Sequence, residues 1–229
     1  LGETVHQDWF ATKIDAAKTV NNDEITAART LLSRAKRPMI MVGGGATDAF
    51  DEIRQLSDQL SAPVLCSTAG KGIVVDDAAL SLNASTVRAE AREYLSTADV
   101  VLAVGTELAE TDSFVDELDL PGALIRVDID SRKLDDQYPA EVSILGDAHT
   151  VMTALMAGER FESTQPRGDV ERQVAQIRSQ IRENLTESES QHAVLLGVLR
   201  TLLPDDAYVA GDICQLVYTG AFEFAARQP

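Results

Sequence analysis

Five short apolar runs constrain this chain more than anything else in it. They are PMIMV at 38–42, APVLC at 62–66, ADVVLAVG at 98–105, ALIRVDID at 123–130 and VSIL at 142–145. Runs this short and this continuously apolar suit strands buried on both faces. The segments between them have helical period. Asn22 reads as an N-cap with Asp23 and Glu24 in the first turn. Ile25, Ala28, Leu31, Leu32 and Ala35 follow at helix spacing, and the helix must stop before Pro38. Phe50, Ile53, Leu56 and Leu60 mark a second helical face, and Val87, Ala91 and Leu95 a third. Gly146 and Asp147 lead into a fourth, with Val151, Met152, Leu155 and Met156. Buried strands alternating with helices predict an α/β fold, a doubly wound, mostly parallel sheet with helices on both faces.

The pattern divides the chain. Residues 1–21 show no period and read as a lead-in linker, and 22–157 form the central α/β domain. Residues 158–188 are a polar linker and a charged helix, on which Val170, Val174, Ile177, Ile181 and Leu185 trace a narrow stripe. That stripe is a candidate for packing the tail against its own domain or a neighbour. Residues 189–229 open a new unit, with a helix near 191–203 and AYVAGD at 207–212 as a fresh strand. A tail of roughly 40 residues is too small to fold by itself, so it must pack on the first domain or a partner, or belong to something longer.

A net charge of −17 argues against nucleic acid and anionic membranes as partners, because both need a basic surface. No apolar run reaches the roughly 18 residues of a membrane span, and LGETVHQDWF lacks the form of a signal peptide. Cys66 and Cys214 both sit in apolar stretches and read as buried, reduced thiols of a cytoplasmic protein. His6, His149 and His192 are scattered and read as surface or capping residues. No metal ligand and no catalytic residue is assigned.

In open parallel sheets, ligands lie beyond the carboxyl ends of the strands. Those ends carry Gly43-Gly44-Gly45, Ser67-Thr68-Ala69-Gly70, Gly105-Thr106-Glu107 and Asp128-Ile129-Asp130. The triple glycine offers backbone N–H groups to a diphosphate, or simply turns the chain between strand and helix. Asp128 or Asp130 suits a ribose or adenine. Glu107 opposes a diphosphate unless a cation intervenes.

RPMIMVGGGATDAF, APVLCSTAGKGIV, ADVVLAVGTELAE, ALIRVDIDSRKL and VSILGDA, in this order and spacing, resemble the central domain of thiamine-diphosphate-dependent enzymes. The likeness is to the acetolactate synthase group with its decarboxylase and pyruvate oxidase relatives. AYVAGDICQLVYTGAFEF resembles the opening of that family's C-terminal domain. The resemblance implies a Rossmann-like scaffold from a three-domain enzyme that removes carbon dioxide from a small 2-oxo acid. Thiamine diphosphate and Mg²⁺ would sit between the first and third domains of the parent, a homodimer or homotetramer. The piece alone would be inert.

The resemblance also implies a nucleotide cleft with Gly43, Gly44, Gly45, Thr68, Gly105, Asp128 and Asp147 around it, and Gln215 as a contact to the thiamine cofactor. Leu216 stands where the family often has histidine. Glu107 and Thr111 replace the arginines that meet FAD in flavin-binding members, and SLNASTV lacks an expected Gly-x-x-Gly. These departures predict a retained fold with a weakened or abandoned flavin site. The competing reading is a non-catalytic nucleotide-binding or regulatory α/β module. A nicotinamide-dependent dehydrogenase is disfavoured, because G-x-G-x-x-G and a His or Tyr acid are missing.

Overall fold

In a computed structural model, which describes residues 20–229, five strands form one parallel sheet of order β2-β1-β3-β4-β5. They are β1 Pro38–Val42, β2 Val64–Cys66, β3 Val100–Val104, β4 Ala123–Asp128 and β5 Val142–Leu145. The expected α/β architecture is present, and each apolar run contains one strand. The register runs Val42 to Cys66 on one side of β1 and Val42 to Val104 on the other.

Alternate residues of each strand feed two separate cores. Ile40, Val42, Leu102, Val104, Ile125 and Ile144 face one layer, completed by Leu32 of α1 Asn22–Arg34, Ile53 and Leu56 of α2 Phe50–Leu60, and Val151 and Leu155 of α5 Ala148–Met156. Met39, Met41, Val101, Ala103 and Leu124 face the other, with Ala91 and Leu95 of α3 Ala89–Leu95. That second layer is closed by α6 Arg167–Glu183. Its stripe of Val170, Val174, Ile177 and Ile181 is buried in the same core, so it forms a layer of the sheet domain. Leu185 lies beyond the helix end.

Several local expectations shift. The cap of α1 is Asn21, whose side chain accepts from the Asp23 N–H at 3.0 Å, one residue before Asn22. The turn after β1 is a 3-10 segment, Gly44–Ala49, that leads into α2. Val87 precedes α3. AYVAGD is not a strand. Tyr208 and Val209 are exposed, and among the described residues no segment pairs with them, which leaves their β-propensity without the neighbours it depends on. Cys66 is buried as expected, but Cys214 is exposed, because the segment around it does not enter a core. The lead-in lies outside the described residues except for Val20 and Asn21, of which Val20 packs against the first core.

The last two helices, α7 Glu187–Leu202 and α8 Gln215–Glu223, pack on each other, and the chain then returns to the sheet domain. The Ala226 N–H donates to Asp76 Oδ2 at 2.9 Å, and the Asp76 N–H donates to the Ala226 carbonyl at 3.0 Å. Glu223 meets Arg88 at 3.2 Å, and Phe222 lies edge-on to Phe114 with centroids 6.1 Å apart.

Candidate functional site

A strand order of 2-1-3-4-5 places the topological switch point between β1 and β3, where ligands of such sheets bind. The structure brings the carboxyl ends of all five strands to one rim: Gly43–Gly45 after β1, Thr68 after β2, Gly105 after β3, Asp128 at the end of β4 and Asp147 after β5. Gln215 is not among them. It is exposed at the start of α8, which packs on α7.

At the switch point the two glycine turns lie backbone against backbone. A Cβ on Gly43 would fall 2.2 Å from the Gly105 carbonyl oxygen, and one on Gly105 would fall 2.5 Å from the Gly45 carbonyl carbon. Gly105 also has a φ of +56°, which a side chain rarely adopts. The Gly43 N–H donates to the Val104 carbonyl at 3.0 Å and the Gly45 N–H to the Gly105 carbonyl at 3.1 Å. Two of the three glycine donors are therefore committed to the end of β3, while Gly44 is exposed beside Ala69.

The rim is acidic and tightly closed. The cavity framed by Ser67, Thr86, Thr106 and Asp112 holds about 10 Å³, room for no more than a water molecule. The Thr68 N–H is exposed and donates to Asp112 Oδ1 at 3.2 Å. Asp147 caps α5, its Oδ1 accepting from the Thr150 N–H at 2.9 Å. Asp128 Oδ1 accepts from the Asp130 N–H at 2.9 Å, and partial burial raises the Asp128 pKa above its ordinary value. Asp130 moves the opposite way, to about 2, because Arg132 hydrogen-bonds its carboxylate.

The cations near this rim are engaged. Lys133 Nζ lies 2.8 Å from Glu107, so that carboxylate has its own counter-ion. Arg126, fully buried in β4, pairs with Asp136 and donates to the Thr106 carbonyl at 3.4 Å. A single basic residue inside ALIRVDID is the signal for that group, and its partner ten residues later carries none. Among the described residues, no group of three His, Cys, Asp or Glu side chains is placed to hold a metal ion. The closed switch point, the committed glycine donors and the acidic border do not fit the diphosphate of a bound flavin.

Comparison with known proteins agrees with the fold. The family described as thiamine pyrophosphate enzyme, central domain, matches residues 25–155. A probable 2-ketoarginine decarboxylase of Pseudomonas aeruginosa is 41% identical over 100% of the chain, which spans 41% of that protein. A pyruvate oxidase of Lactiplantibacillus plantarum is 31% identical over 66% of the chain and 26% of its own length. The acetolactate synthase isozyme 3 large subunit of Escherichia coli is 29% identical over 92% of the chain and 39% of its own length. The chain thus spans well under half the length of these relatives. A parallel doubly wound sheet with this match across its strands makes the chain a member of the thiamine pyrophosphate enzyme family, carrying that family's central domain.

Proposed function

We propose that this chain is the scaffold region of a thiamine-diphosphate-dependent enzyme that decarboxylates a 2-oxo acid. The observation that carries the reading is the 41% identity to a 2-ketoarginine decarboxylase over the whole chain, α6 to α8 included. On this reading residues 22–157 are the central domain, 158–188 the connecting helix, and 189–229 the opening of the diphosphate-binding domain. The substrate to try first is 2-ketoarginine.

When bound in the full enzyme, thiamine diphosphate supplies the electron sink for loss of carbon dioxide. Among the described residues no group of three His, Cys, Asp or Glu side chains is placed to hold its Mg²⁺, and no chemical step is assigned to the residues of this chain. Their contribution is positional: the two-layered sheet fixes where the chain leaves toward α7 and α8. Gln215, exposed at the start of α8, is the residue in this chain proposed to reach the cofactor.

The experiment is a carbon dioxide release assay on the longer protein carrying this chain, with thiamine diphosphate and Mg²⁺, offering 2-ketoarginine and pyruvate. Turnover of 2-ketoarginine is expected, and no turnover of any 2-oxo acid would overturn the reading. The 229-residue chain alone is expected to be inactive. Titrated with FAD, it should quench no flavin fluorescence, and saturable quenching at low micromolar concentration would reopen the flavin site.

A further inference from the structure

Away from the sheet rim, α6, α7 and the returning tail enclose a second cavity of about 420 Å³. Arg178 and Arg182 line it from α6, and Arg200 from α7. Three carboxylates line it as well, Asp76, Asp77 and Glu223.

Each carboxylate already has its own cation. Asp76 is 2.7 Å from Lys71, Asp77 is 3.4 Å from Arg227, and Glu223 is 3.2 Å from Arg88. Arg200 donates to the Leu203 carbonyl at 2.8 Å and stands 3.8 Å from Asp205. Arg178 and Arg182 are what remains. Among the described residues neither has a carboxylate within 4 Å, and the one bond made by Arg178 is to the Ala78 carbonyl at 3.2 Å.

Two like charges one helical turn apart repel each other. Partial burial and the neighbouring Arg182 lower the pKa of the Arg178 guanidinium. An anion between them would relieve both costs, and paired guanidinium groups match the planar oxygens of a carboxylate or phosphate. The remaining wall is mostly apolar, with Leu82, Ile181, Leu196 and Phe222, and carries Asn83 and Ser85 as its uncharged polar groups. An apolar recess of this size with a few convergent charges is the form of a small-molecule site.

We propose that this cavity binds a small organic anion, its carboxylate or phosphate held between Arg178 and Arg182 and its apolar body against Leu82, Ile181 and Phe222. The site is separate from the sheet rim and does not depend on the decarboxylase reading.

The test is calorimetric titration of the 229-residue chain, at low ionic strength, with hexanoate in one arm and hexyl phosphate in the other. Saturable binding of at least one probe is expected, and the tighter of the two identifies the head group. Arg178→Gln with Arg182→Gln should weaken it by about tenfold or more, because both charge-assisted contacts go. Arg178→Lys with Arg182→Lys should keep part of the affinity. Arg172→Gln, on the same helix but paired with Asp169, should leave it unchanged. The single Arg182→Gln variant removes an exposed side chain and carries the test if the double variant fails to fold. Absence of saturable binding for both probes overturns the proposal, as does binding that the glutamine variants leave intact.

Discussion

Gly43 and Gly105 meet so closely that no side chain fits between them: a Cβ on Gly43 would sit 2.2 Å from the Gly105 carbonyl oxygen. The opposing atoms are backbone and cannot swing aside. Gly43→Ala should therefore lower stability by about 2 kcal/mol or more, the range of overpacked cores. A urea melt measures it. An unchanged midpoint would mean that the turn has slack, as a loop built to receive a ligand would.

Ile177 is one of the four α6 residues buried in the second core. A carboxylate there would be largely removed from solvent in an apolar core, so Ile177→Asp should cost about 3 kcal/mol or abolish the cooperative transition. Light scattering distinguishes this from a role between subunits. A folded variant of lower mass would return the stripe to an intermolecular interface.

Much of this fold could be read from the sequence. Pro38–Val42 and Val142–Leu145 have the limits of their apolar runs, the first buried along its whole length and the second, at the sheet edge, buried at alternate residues. The failures have physical causes. Tyr208 and Val209 favour strands, but that preference has force only beside a partner strand. Cys214 reads as buried only if that strand exists. The site was half legible: strand ends can be located from sequence, but the commitment of the Gly43 and Gly45 donors to β3 cannot, since it depends on two turns about 60 residues apart pressing together. In the sequence Arg178 and Arg182 are simply part of a charged helix. Their lack of counter-ions appears only when the partners of Asp76, Asp77 and Glu223 are known.

Asp76 is a buried carboxylate with Lys71 at 2.7 Å, and its Oδ2 also accepts from the tail N–H of Ala226. Asp76→Ala leaves Lys71 mostly buried without a counter-ion. The expected loss is about 3 kcal/mol, the scale for breaking a buried pair from one side. Chemical denaturation measures it, and a loss below about 0.5 kcal/mol, typical of a surface pair, would contradict the structure.

The two cysteines should react differently. Burial, aided by Asp76, pushes the Cys66 thiol up to about 12 from 9.0, whereas Cys214 is exposed. A disulfide reagent at pH 8 should titrate one thiol per chain in the native state and both in denaturant. The raised folded value favours the neutral thiol. Its contribution to stability is complete below about pH 9 and is lost as pH rises through the folded value.

Asp128 and Asp130 are shifted in opposite senses, and carbon-detected NMR titration can resolve them. Asp130 should titrate near pH 2, its contribution present above pH 3.8 and lost as pH falls through the folded value. Arg132→Ala should return it toward 3.8. Asp128 should titrate above 3.8, and here the sign reverses: its ionisation is disfavoured by folding, so it weakens the fold as pH rises. A common midpoint for both would refute the rim geometry.

The return of the tail onto Asp76 means that the exposed span 205–213 is bypassed by contacts on either side of it. His192 Nδ1 lies 2.9 Å from Thr219 Oγ1, Arg88 bridges Glu189 and Glu223, and Ala226 is clamped to Asp76. A protease that nicks the chain beside Tyr208 would yield two peptides on a denaturing gel and a single particle on a sizing column.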